Sequence, residues 1–100
     1  MTGMAISFAE LALRDFRQAQ ARYREEGASG GSVPVTELLE SIRALSEHPD
    51  SGRIVPEFEH SFLRELIHPP FRILYHRGPR SVRVVRVLRS DPSRYLPVSG

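Results

Sequence analysis

The chain has 100 residues, 40% hydrophobic and 26% charged, which suits one globular domain with a single core and excludes a disordered chain or a membrane bundle. No apolar run approaches the roughly 20 residues that span a bilayer, the N-terminus lacks the basic, apolar and small-residue order of a secretory signal, and the absence of cysteine removes disulfides and thiolate metal sites. The net charge is only +2, but all 14 basic residues are arginine, residues 1–50 carry −3, residues 51–100 carry +5, and residues 71–95 alone carry +6. Such a basic half points to an anionic partner, either nucleic acid or an acidic protein segment.

In chain order, Ala5-Ile6-Ser7-Phe8 is a short apolar run suited to an edge strand. Ala9, Ala12, Leu13, Phe16, Ala19 and Tyr23 recur at spacings of three and four, predicting a helix with one apolar face and its arginines mostly on the other. Gly27 is placed to end that helix, and residues 27–32 make a short helix–helix connection. Pro34 suits a first helical turn, Val35, Leu38, Leu39, Ile42 and Leu45 continue the helical period, and His48-Pro49 stops it.

The second half predicts three strands, at 61–67, 71–77 and 81–89, separated by the breakers His68-Pro69-Pro70 and Gly78-Pro79-Arg80. Strict alternation in the last strand puts Val82, Val84, Arg86 and Leu88 on one face, and Arg83, Val85, Val87 and Arg89 on the other. Arg86, on the more apolar side, is expected to reach a carboxylate or carbonyl partner. The expected fold is therefore α+β: an antiparallel two-helix hairpin packed on a small, mainly antiparallel four-stranded sheet, in the order β-α-α-β-β-β. It forms a single domain over 1–100, with an irregular tail at 91–100.

Residue identities narrow this pattern. The ordered set Ile42, Leu45, His48-Pro49, Gly52-Arg53, Val55-Pro56-Glu57, Arg64-Glu65-Leu66, Pro70-Phe71-Arg72-Ile73-Leu74-Tyr75 and Val84-Val85-Arg86-Val87-Leu88 resembles the RelE/ParE toxins of type II toxin–antitoxin, or plasmid-stabilisation, systems. The likeness is strong over about residues 42–89 and collinear over 4–41. Gly52 before Arg53 is expected in a tight turn that favours glycine. Alternation turns Arg72 away from Phe71, Ile73 and Tyr75. The resemblance implies that its strand is central and that Arg72 lies on the concave face that meets target or antitoxin. The competing reading makes Arg72 one half of a structural ion pair with Glu57 or Glu65.

The resemblance implies one of two activities. RelE-like members cleave mRNA on the ribosome, chemistry that needs a base, a cation for the phosphorane and an acid. ParE-like members bind and poison DNA gyrase and need only a binding surface. This chain is closer to the ParE-like branch. Leu63 and Glu65 stand where the nuclease branch carries lysines, lysine is absent, and Arg89-Ser90-Asp91-Pro92 replaces a basic run. The expected function is thus gyrase poisoning, without enzymatic activity. The first alternative is a ribosome-dependent endoribonuclease built on Arg72, His68, Arg89 and Tyr95; the second is a non-toxic nucleic-acid- or protein-binding relative. Target and antitoxin binding is assigned to Arg64, Arg72, Arg83, Arg86, Arg89 and Arg94.

Other readings are weaker. His48, Asp50, Glu57, Glu59 and His60 follow no metal-ligand spacing, so no metal and no cofactor is expected. No nucleophile elbow supports a hydrolase, and no helix-turn-helix, RRM or zinc signature supports a stand-alone nucleic-acid module. The family implies a bacterial cytoplasmic protein with no membrane contact. It also implies a heteromeric complex with a cognate antitoxin, a small protein from an adjacent gene, whose acidic and apolar segment wraps the toxin.

Overall fold

Apolar spacing accounts for both helices. The computed structural model describes residues 3–27, 33–55 and 63–89. It forms α1 over Glu10–Glu26 and α2 over Val35–Ala44. Ala12, Phe16 and Ala19 are buried along α1, and Leu38 and Ile42 along α2. Gly27 ends α1 with φ 63°, a backbone region that favours glycine, and its N–H donates to the Tyr23 carbonyl at 2.7 Å. Pro34 stands just ahead of α2, and Leu45 follows its last residue.

One side chain on α1 departs from the expected pattern. Leu13 is 41% exposed, and Asp15 is buried instead. At about 100° per residue, Leu13 lies roughly 90° from the line through Ala12, Phe16 and Ala19, and Asp15 lies closer, at roughly 65°. The three small or aromatic side chains set the buried stripe, and Leu13 falls outside it.

The strands are β1 (Ala5–Phe8), β2 (Arg53–Ile54), β3 (Leu63–His68), β4 (Phe71–Arg77) and β5 (Ser81–Arg89), ordered β1-β5-β4-β3-β2. All pairings are antiparallel except β1 with β5. The sheet therefore has five strands where four are expected. The additional strand, β2, is only two residues long and shows no alternation to read; it exists because Arg53 and Ile54 pair with Glu65 and Arg64. His68 belongs to β3 rather than to the breaker after it, so the turn is made by Pro69 and Pro70, joined by a cis peptide bond.

Strict alternation also fails in β5. Tyr75 pairs with Val84 while Leu74 pairs with Arg86, so Val85 is an extra residue opposite β4. A bulge of this kind resets which side chains share a face. Val82, Val84 and Val87 are accordingly the buried residues, not Val82, Val84 and Leu88. They join Ala12, Phe16, Ala19, Leu38, Ile42, Leu45, Phe71, Ile73 and Tyr75 in one core between the helices and the sheet. Phe8 and Phe16 add an edge-to-face ring contact at 5.6 Å.

β1 pairs only with Ser81–Val84, leaving the rest of the outer edge of β5 to α1. There the Val87 N–H donates to Asp15 Oδ2 at 2.8 Å, and Arg86 donates Nε to Oδ2 at 2.8 Å and a terminal nitrogen to Oδ1 at 3.1 Å. One carboxylate thus replaces a strand along an edge that would otherwise be open to pairing. It is also the carboxylate partner expected for Arg86. Asp15→Ala is expected to cost about 2 kcal/mol in urea unfolding, because it strands a buried amide and a half-buried guanidinium. A variant as stable as the parent would show that water replaces the carboxylate.

Candidate partner-binding surface

Alternation along β4 divides the sheet into two faces. Phe71, Ile73 and Tyr75 are buried under the helices, while Arg72, Leu74 and His76 project the other way. Cross-strand register adds Leu63, Glu65 and Ile67 from β3, and Arg83 and Leu88 from β5, to that second face. β4 is the middle strand of five, so Arg72 lies on the central strand, one residue from its start.

Around Arg72 lies a charge cluster. Glu65 has a fully buried side chain and accepts from both Arg72 and Arg53. Arg72 is 24% exposed at its side chain, whereas Arg53 is 61% exposed. The ion-pair reading of Arg72 is realised through Glu65, while Glu57 lies outside the described residues. Around the cluster, Leu63, Ile67, Leu74 and Leu88 are each partly exposed.

The other arginines singled out from sequence are spread over both faces and the edge of the sheet. Arg64 pairs across the sheet with Tyr75, on the helix side, and donates to the Gly52 carbonyl at 2.8 Å. Arg83 is exposed on the second face and reaches Ser7 Oγ at 3.4 Å. Arg86 turns over the strand edge to Asp15, and that bond raises its pKa above the ordinary arginine value. Arg89, exposed at the end of β5, lines a notch against α1. Arg94 and Tyr95 lie outside the described residues. His68 is on the helix side, its Nδ1 2.7 Å from Ser41 Oγ and its Nε2 3.5 Å from Glu37. Arg72, His68 and Arg89 therefore do not converge.

A second cluster fixes the turn before β2. The Tyr75 hydroxyl donates to the Pro49 carbonyl at 2.7 Å and accepts from the Gly52 N–H at 2.9 Å. Burial pushes the Tyr75 phenol above its ordinary pKa, against the pull of the Gly52 amide. Arg77 donates to Asp50 at 2.9 Å and holds that carboxyl below the ordinary aspartate value, with Arg64 3.5 Å away on the same oxygen. Gly52 has no positive φ; Gly27 is the one described residue that does. Its glycine requirement is steric, since a Cβ there would lie 2.6 Å from the Tyr75 hydroxyl.

Sequence reasoning passed over Asp15 and met Asp50 only as a dismissed metal ligand, without its arginine partners. Asp15 had a legible signal, an acidic residue three positions after Ala12 on the edge of the apolar stripe. Asp50 had none, because its arginine partners come from two strands distant in sequence. Among the described residues, no three metal-ligating side chains group together, and no helix is long and apolar enough to cross a membrane.

Comparison with known proteins adds three findings. Residues 6–91 match the family described as ParE toxin of the type II toxin–antitoxin system, parDE. Among solved structures, the chromosomal ParDE toxin–antitoxin system from P. aeruginosa contains a chain similar at 18% identity and TM-score 0.66, the match covering 88% of this chain and 97% of that one. The RelBE2 toxin–antitoxin complex from Mycobacterium tuberculosis contains another, at 19% identity and TM-score 0.66, covering 87% and 98%. No curated protein matches the sequence.

Proposed function

The chain belongs to the ParE toxin family of type II toxin–antitoxin systems, and on that premise we propose that it acts in the bacterial cytoplasm by binding and poisoning DNA gyrase, without cleaving RNA. The observation that carries this reading is the commitment of Arg72. The cation of the central strand, on the face opposite the helices, is clamped on the buried Glu65 carboxylate. An endonuclease would need that cation for the crowded phosphorane, with a base and an acid within hydrogen-bond reach. His68 is held on the opposite face by Ser41. A surface of partly exposed leucine and isoleucine around a paired charge supports protein binding better than phosphate chemistry.

A cognate antitoxin is proposed to hold the toxin inactive. The two structural relatives come from toxin–antitoxin systems, and the face opposite the helices, with Arg72 and Arg83 among apolar side chains, suits an acidic and apolar segment. Arg64, Arg86 and Arg89 remain proposed contacts beyond that face's centre, and Arg94 a proposed contact outside the described residues.

Two assays run in parallel test the target. Gyrase supercoiling with detection of cleaved DNA is expected to respond to the purified protein, and mRNA on translating ribosomes is expected to stay intact. Cleavage of mRNA with gyrase unaffected would overturn the proposal in favour of a RelE-like nuclease.

A further inference from the structure

Glu37 and Ser41 stand one turn apart on α2, so both side chains lie on one face of that helix. The imidazole of His68, the last residue of β3, spans them. Its Nδ1 is 2.7 Å from the Ser41 hydroxyl, and its Nε2 is 3.5 Å from a Glu37 carboxylate oxygen. A hydroxyl within hydrogen-bond reach of a base, with that base oriented by a third group, is the arrangement that activates a nucleophile. We propose that Ser41 is a nucleophile for activated carboxylic esters, with His68 as its general base and Glu37 positioning the imidazole.

The partners fix the direction of the proton. A carboxylate can only accept, so the hydrogen of the neutral ring sits on Nε2, toward Glu37. Nδ1 then carries the lone pair and accepts from the Ser41 hydroxyl, which is the direction of general-base catalysis. In the reaction Ser41 Oγ bonds to the ester carbonyl carbon, and its proton passes to Nδ1. The imidazolium so formed lies beside the Glu37 carboxylate, which stabilises it. Breaking the bond between that carbon and the leaving oxygen gives the acyl-serine, and the leaving group departs as its anion. Ser41 and His68 are both only partly buried, with 27% of the histidine side chain exposed, so a small ester reaches them from solvent. Helix geometry sets the substrate class. Ser41 lies past the first turn of α2, where backbone amides are bonded to carbonyls four residues back and α2 has no free donor for an oxyanion. The site therefore suits aryl esters, whose leaving group is good, and not peptides or alkyl esters.

The chain has neither lysine nor cysteine to take up an activated ester unspecifically. The full chain would be treated with 4-nitrophenyl acetate and followed by 4-nitrophenolate release and by mass spectrometry of its peptides. One acetyl group is expected on Ser41. It should be absent in Ser41→Ala, a substitution that favours the helix, and should form about 100-fold more slowly in His68→Gln. Circular dichroism shows whether each variant is folded. The ring nitrogens of His68 give a readout that needs no variant. At about pH 8, where an ordinary histidine is neutral, their chemical shifts are expected to show the Nε2–H tautomer in the parent and a mixture in Glu37→Gln. No acetyl group on Ser41, an undiminished rate in folded His68→Gln, an Nδ1–H tautomer in the parent, or identical ring shifts in Glu37→Gln would each overturn the proposal. None of these results bears on the gyrase or mRNA assays, so the two readings fail separately.

Discussion

Gly52→Ala is expected to destabilise the fold by about 3–4 kcal/mol, the sum of forced overpacking and disrupted buried hydrogen bonds. A methyl at this position would lie 2.6 Å from the Tyr75 hydroxyl, 2.7 Å from the Glu65 carbonyl oxygen and 2.7 Å from Tyr75 Cε1. The tyrosine is fully buried in the core and held there by two hydrogen bonds of its hydroxyl. The carbonyl belongs to β3 and is fixed by its ladder. Relief therefore requires moving the turn, which breaks the Gly52 N–H and Pro49 carbonyl contacts to the tyrosine. Tyr75→Phe alone is expected to cost about 2 kcal/mol, because it leaves those two backbone groups without their partner. In the double variant the losses should be less than additive, since both substitutions break the same contacts. Stability should not recover, because the Glu65 carbonyl still blocks the methyl. Urea unfolding of the four proteins reads this directly. A stable Gly52→Ala would mean that the turn moves freely and that Tyr75 does not anchor it.

The second large effect is expected at Glu65. Glu65→Ala should cost about 3 kcal/mol, at the lower end of what is lost when a buried ion pair is broken from one side. Arg72, 24% exposed, would be left without this carboxylate on the central strand, while Arg53, 61% exposed, can return to water. Arg53→Ala should accordingly change stability by less than about 1 kcal/mol. Unequal losses on the two sides of one carboxylate are the signature of this arrangement. If the alanine variants at 53 and 65 behaved alike, the pair with Arg72 would be contributing nothing. The comparison also bears on the proposed function, because losing the Glu65 carboxylate would alter the charge presented on the face opposite the helices.

Much of the architecture was readable because it repeats locally. The stripe of Ala12, Phe16 and Ala19, the run Val35 to Ile42, and the buried alternation of Phe71, Ile73 and Tyr75 each carry a period that only one type of element satisfies. The breakers at Pro69-Pro70 and Gly78-Pro79 then set short connections between β3, β4 and β5. Family kinship was legible for the same reason, since its motifs lie on those elements, and the match over residues 6–91 agrees with it.

Where sequence reading went astray, the missing information was non-local. The extra residue at Val85 can be seen only when β5 is laid beside β4, because nothing in its own run of valines and arginines marks the slip. Strand β2 is too short to have a period and owes its existence to β3. The requirement for glycine at position 52 comes from a tyrosine 23 residues away, a close approach that no turn rule contains.

The candidate surface divides in the same way. Alternation alone turned Arg72 away from the helices and identified Glu65 as a possible partner. Only the assembled sheet placed the two side by side, with Arg53 on the other oxygen. Composition located the positive charge in the second half of the chain, but not its distribution among two faces and one edge. Periodicity acts through neighbours two to four residues apart, so the helices, the main strands and the family motifs on them could be read without any contact between distant residues. Charge pairing acts through space, so which arginines are bound to carboxylates emerges only when helix and strands are assembled.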